Sequence, residues 1–224
     1  MSLIRQPHRR DGLVLAVACG RIGLPYGVLA DSAGLTMAQA VALSVFTFAG
    51  SSQFAYVSVI SGGGNPATAV SGALLLAARN ALYGPVVTPV LRGGLFRRAV
   101  AAQFLTDETT AMASAQDEPN TAHDAFWFTG LAIMSLWVAG TVAGVLLGAS
   151  LEDPGAWGLD AAFPAAFVAL LVPHVVTRAG KVTALVGAVI ALVAVPTTPA
   201  GVPILLAALA VGPGMAVAAR RRSL

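Results

Sequence analysis

Eight apolar stretches follow one another along this chain, at roughly 12–30, 36–60, 66–91, 99–116, 122–149, 159–178, 181–196 and 200–219, divided by turn signals such as Gly62-Gly63-Gly64-Asn65-Pro66 and Glu152-Asp153-Pro154-Gly155. A helix crosses the hydrocarbon core of a bilayer in about 20 residues, so most of the stretches are long enough and 181–196 is marginal. Within lipid a helix satisfies its backbone hydrogen bonds internally and can be apolar all round. Composition agrees, with 57% of the 224 residues hydrophobic and 10% charged, against about 25% charged in soluble domains. The expected fold is all-α: a polytopic membrane helix bundle of about seven spans, six to eight being possible, in one integral membrane domain over 1–224.

The arginines lie at the ends of the apolar runs, at Arg5, Arg9, Arg10, Arg92, Arg97, Arg98 and Arg220 to Arg222. That is how cytoplasmic loops are charged under the positive-inside rule. Nucleic acid binding would want a basic face with aromatics instead, so the net charge of +3 does not point to it. Cys19 is the single cysteine, which allows no internal disulfide, and no Cys/His spacing resembles a zinc site. Neither a metal nor another cofactor is called for. Arg9-Arg10 ahead of Ala16-Val17-Ala18-Cys19-Gly20 faintly resembles a cleaved lipoprotein or twin-arginine signal, but the run before Cys19 is short and Arg21 follows inside a continuing apolar stretch. An uncleaved first helix is the simpler expectation.

Three of the stretches are broken near their centres. Phe48-Ala49-Gly50-Ser51-Ser52-Gln53-Phe54 interrupts the second, Arg79-Asn80 the third and Thr106-Asp107-Glu108 the fourth. Ionisable groups at bilayer depth cost roughly 2.5 to 3.5 kcal/mol each on insertion scales, so they persist mainly where they bind something. This favours a transporter over an anchor.

If the second stretch unwinds at Gly50-Ser51-Ser52, the half-helix that follows presents free N–H groups and the positive end of its dipole, a site for a carboxylate. Small residues also serve close helix packing, but packing has no need of the long amide of Gln53. Arg79 could clasp a substrate carboxylate or pair with Asp107 or Glu108 in an internal ion pair. Asn80 would hydrogen-bond unwound backbone or substrate. Asp107 and Glu108 diverge by about 100° on a helix, so one readily faces a given cavity. The shorter Asp107 is expected to carry the coupling or gating charge, while Glu108 could reach an interface, unless the whole segment is a solvated loop. Arg21 is also central in its stretch unless the first helix starts late, and His174 reads as structural.

Counting every stretch as one crossing from a cytoplasmic N-terminus places Arg92, Arg97 and Arg98 outside, against the positive-inside rule. Either the rule fails at this loop, or the stretches around Gly50 and Asp107 are re-entrant pairs of half-helices, tolerated where backbone at membrane depth is buried or lines a cavity. A faint internal repeat relates Gly34-Leu35-Thr36 through Gly50 to Gly158-Leu159-Asp160 through Val172-Pro173-His174. Paired interruptions of this kind point to inverted repeats around a binding site. Enzyme motifs are missing: there is no Gly-x-Ser-x-Gly, no His-Glu-x-x-His, no P-loop and no Gly-x-Gly-Asp. The chain is not expected to be an enzyme.

With these residues assembled, the chain resembles the AzlC family of branched-chain amino-acid permeases, the large subunits of bacterial valine and azaleucine exporters. The resemblance rests on Phe48 to Phe54, on Ala78-Arg79-Asn80-Ala81-Leu82-Tyr83 and on Leu105-Thr106-Asp107-Glu108, in order, with supporting segments at Gly23 to Gly27, Gly158 to Asp160 and Phe167 to Pro173. Asn80 departs from the histidine common in the family, which argues against a proton relay there. The resemblance implies gradient-driven export of branched-chain amino acids from the bacterial inner membrane, without ATP hydrolysis, beside a small AzlD-type subunit. It implies substrate binding by Gly50, Ser51, Ser52, Gln53, Arg79 and Asn80, with Asp107 and Glu108 in coupling or gating. The alternative is a channel or scaffold subunit whose transport site lies in the partner.

Overall fold

The computed structural model describes residues 6–91, 93–150 and 175–220, together with four positions between 165 and 172. The described residues are helical, with no strand among them. Four helical segments are long and apolar enough to cross a membrane: Pro7–Ser32, Pro66–Val87, Pro119–Gly148 and Val202–Ala219.

Helix α1 (Pro7–Ser32) starts on a proline, whose missing N–H costs nothing at that position. Because it begins at Pro7, Arg21 lies mid-helix, and it is exposed on the outer face. A capping box opens α2 (Met37–Phe46): the Thr36 hydroxyl accepts from the Gln39 N–H, and the Thr36 N–H donates to Gln39 Oε1 at 2.9 Å. The helix then stops. Phe48 adopts φ 37°, Ala49 is extended, and α3 (Gly50–Ser61) begins one residue later. The break therefore lies at Thr47 to Ala49, just ahead of the Gly-Ser-Ser expected to unwind, and those three residues form the first turn of the second half-helix.

The third stretch begins as α4 (Pro66–Ala77), capped by Asn65. It tightens into a 3₁₀ turn at Ala78–Tyr83, where Arg79 and Asn80 sit, and ends as α5 (Gly84–Val87). The fourth comprises α6 (Leu95–Gln103) and α7 (Asp107–Ser114). Thr106 caps α7, and the Thr109 hydroxyl closes the box by accepting from the Thr106 N–H at 3.0 Å. All three interruptions read from the sequence are thus interruptions of the helices. Next comes α8 (Pro119–Gly148), followed by α9 (Arg178–Ala194), α10 (Val202–Ala207) and α11 (Val211–Arg220). The second half of the suspected repeat, including His174, lies outside the described residues, and so does most of the stretch 159–178.

Helices α1 and α8 form the spine of the molecule. Arg9 donates to both oxygens of Asp124 at 2.7 and 2.6 Å, and His8 meets the same carboxylate at 2.7 Å. Further along, Gly20 lies against Leu136, Gly27 against Gly144 and Gly148 against Asp31. The partner number rises with the residue number and stays 115 to 117 ahead, so the two helices run parallel. A Cβ at Gly144 would overlap the Leu24 carbonyl oxygen. Small residues are required there because the backbones touch, a packing mode suited to lipid, where no water-driven force holds helices together.

The second stretch packs on this spine by doubling back. Ser44 of α2 bonds Thr141 of α8 at 2.9 Å. The Tyr26 hydroxyl donates to the Ala40 carbonyl of α2, while its ring packs edge-on against Phe54 of α3, centroids 5.7 Å apart. Gln53 Nε2 donates back to the Leu43 carbonyl at 2.9 Å. Ten residues of continuous helix would separate those two positions by about 15 Å, so α3 turns back beside the end of α2.

Candidate functional site

The broken ends converge on one cavity of about 260 Å³. Gly50, Ser51 and Phe54 of α3 line it, with Phe48 and Ala49 from the break before them. Arg79 and Asn80 come from the 3₁₀ turn, and Thr106, Asp107 and Glu108 from the start of α7. Cys19 and Ile22 of α1 and Ile133 and Trp137 of α8 complete the wall. Each broken stretch contributes because a helix that stops inside the protein leaves its first N–H groups without intrahelical partners. Two such N-termini, those of α3 and α7, open on the cavity, and both carry the positive end of a helix dipole.

Arg79 stands between them. Its Nη2 donates to Ser51 Oγ and to Asp107 Oδ1, both at 3.4 Å. These bonds are long for charge-assisted contacts, which favour about 2.7–2.9 Å, so the guanidinium bridges the two half-helices loosely. Of the two roles open to Arg79, the ion pair with Asp107 is present, and the cavity leaves its remaining N–H groups a place to meet a ligand. Asp107 and Glu108 both lie in the first turn of α7. Neither is in a loop outside the fold, and Glu108 lines the cavity rather than reaching for an interface.

The expected binding residues separate into two groups. Gly50, Ser51, Arg79 and Asn80 line the cavity; Ser52 and Gln53 do not. Gln53 is fully buried, and its amide is consumed inside the fold. The Trp137 indole N–H donates to its Oε1 at 2.8 Å, while its Nε2 holds Leu43. The long amide that suggested a ligand contact instead ties the fold-back of α3 to α2 and α8. Ser52 is also fully buried, and its Oγ has no hydrogen-bond partner. Asn80 Oδ1 is likewise buried and unpartnered, but on a residue that lines the cavity.

Sequence reasoning missed the apolar wall. Trp137, Ile133, Ile22 and Cys19 sit in unbroken helices, where nothing local separates a cavity-facing side chain from a lipid-facing one. Gly50 carries a signal that is legible in hindsight: a Cβ there would lie 2.8 Å from the Trp137 ring edge, so the position demands glycine for contact with the wall. Gln103 was missed as well. Its amide donates to the Val45 and Phe46 carbonyls at 2.6 and 3.1 Å, satisfying the open C-terminus of α2. No group of three or more His, Cys, Asp or Glu side chains among the described residues could hold a metal ion.

The family profile described as AzlC protein matches residues 14–151, a span that contains every residue lining the cavity. The chain belongs to the AzlC family. Among its relatives, an uncharacterized membrane protein of Archaeoglobus fulgidus is 31% identical over 185 residues, covering 79% of this chain and 80% of its own length. The inner membrane protein YgaZ of Escherichia coli is 29% identical over 151 residues, covering 63% of this chain and 60% of its own length. The branched-chain amino acid transport protein AzlC of Bacillus subtilis is 24% identical over 168 residues, 74% of this chain and 66% of that one. No solved structure matches. As an AzlC-family member the chain is an integral membrane protein, and its cavity and all but the first turns of its α1–α8 spine fall within the AzlC match, with α9 to α11 beyond it.

Proposed function

We propose that this chain transports branched-chain amino acids, L-valine, leucine, isoleucine and analogues such as azaleucine, outward across the bacterial plasma membrane. Transport is driven by a gradient and not by ATP hydrolysis, and a small AzlD-type membrane subunit is its partner. The observation that carries the reading is the cavity itself. Arg79 and the α3 N-terminus offer donors to a carboxylate, Glu108 adds a carboxylate to the same lining, and Ile22, Phe54, Ile133 and Trp137 supply an apolar surface. Its volume of about 260 Å³ lies below the roughly 300–1,000 Å³ of pockets for drug-sized ligands, which suits a small metabolite. The name of the Bacillus subtilis relative supplies the substrate class.

The same proposal includes a topology. Because α1 and α8 are parallel, an odd number of crossings must separate them. The second stretch folds back at Phe48 and so does not cross. Of the next two, Pro66–Val87 is long enough to span and the pieces of Leu95–Ser114 are not. The 95–114 segment then enters and leaves by the face that holds the N-terminus. Arg97 and Arg98 come to lie on the same side as Arg9 and Arg10, as the positive-inside rule requires.

Reconstitution of the chain in liposomes, with and without the small subunit, tests the function. Saturable valine counterflow that exceeds transport of a hydrophilic amino acid is expected. Valine flux that never saturates would mark a channel, and flux that appears only through the partner's own site would mark a scaffold.

A further inference from the structure

Charge does not balance in the cavity. Arg79 is its one cation, and it is engaged by Asp107 at 3.4 Å. Glu108 is a second carboxylate on the same wall and has no cationic side chain within 4.0 Å among the described residues. The other elements facing it bring no further charge: α1 contributes Cys19 and Ile22, α3 contributes Gly50, Ser51 and Phe54, and α8 contributes Ile133 and Trp137. A second observation points the same way. Asn80 Oδ1 is a buried acceptor without a donor, on a residue that lines the cavity. A carboxylate without a cationic partner and an unused carbonyl oxygen, both on residues that line the cavity, call for a compact group with positive charge and several N–H donors. A primary ammonium supplies three.

We propose that Glu108, assisted by Asn80 Oδ1, is the seat for the substrate's α-ammonium group, and that Asp107 serves instead to hold Arg79 in place for the carboxylate. This inference rests on the reading of the cavity as an amino-acid site. It assigns the two adjacent acids opposite tasks and reverses the expectation that Asp107 carries the functional charge. It also accounts for selectivity. A ligand with a carboxylate but no ammonium would leave Glu108 and Asn80 unanswered, and polar groups partly withdrawn from water are costly to leave unmet.

The test compares valine with 3-methylbutanoate, which is valine without its amino group, as ligands of the purified full chain. Wild-type protein should prefer valine by about tenfold or more. In Glu108→Gln that preference should fall to within about threefold, mainly through loss of valine affinity, since a neutral amide cannot balance an ammonium. In Asp107→Asn the preference should persist while both ligands weaken together. Retention of the valine preference in Glu108→Gln, or its loss only in Asp107→Asn, would overturn the assignment. So would equal loss of both ligands in Glu108→Gln, which would mark a structural role. Absence of valine binding in wild-type protein would remove the amino-acid reading of the cavity and this inference with it. Valine binding that Glu108→Gln leaves intact would remove the inference alone.

Discussion

Phe48 and Phe104 meet edge to face, their ring centroids 5.7 Å apart and their planes at 66°, and each stands where its own stretch ceases to be helical. Beside them Gln103 donates to the carbonyls of Val45 and Phe46. The two breaks therefore brace one another at one level of the molecule. Gln103→Leu should leave those two carbonyls unanswered at a cost of roughly 1–3 kcal/mol. A lower melting temperature in detergent is expected, and an unchanged one would show that the joint is held by the aromatic pair alone.

Gln53 acts on stability before it acts on transport. Removing its amide frees both the Trp137 indole N–H and the Leu43 carbonyl. Gln53→Ala should lower the melting temperature and the yield of inserted protein by more than Ser51→Ala does. Any residual folded Gln53→Ala protein should still bind valine, measurable after purification by size. A fully stable but inactive Gln53→Ala protein would restore the ligand contact expected from the sequence.

Arg79 links the two half-helices, so its removal should be felt at both. Arg79→Ala is expected to abolish valine transport while the protein remains inserted, and Arg79→Lys should recover little, because an ammonium cannot reproduce the planar fork. Adding Asp107→Asn to Arg79→Ala should cost far less than Asp107→Asn costs alone, the sign of coupled partners. Fully additive losses in that double-variant cycle would separate the two residues.

Topology is read by cysteine labelling in a Cys19→Ala background. Gly93→Cys should be shielded from an impermeant reagent applied outside intact cells, and Gly63→Cys should be reached by it. The reverse pattern would mean that all three broken stretches cross the membrane, with Arg97 and Arg98 outside.

Much of this protein is determined locally and could be read from its residues in order. Runs of apolar side chains dictate helices, because lipid offers the backbone no other partner. Gly50, Arg79-Asn80 and Thr106-Asp107-Glu108 mark breaks, because each is costly or useless in the middle of a plain span. The caps at Thr36 and Asn65 fall where short polar side chains precede apolar runs, and that at Thr106 where one precedes two acids that suit a helix N-terminus. What tertiary structure alone decided was which groups answer which. The parallel pairing of α1 with α8 joins residues 115 to 117 apart, and no local pattern encodes a partner at that distance. Trp137 turns inward because Gly50 makes room for it. Gln53 is consumed by Trp137 and Leu43, while Asn80 is left with an open oxygen. Asp107 and Glu108 are neighbours in sequence with similar chemistry, and only the position of Arg79, 28 residues from Asp107, gives one of them a cationic partner and leaves the other without a salt bridge among the described residues.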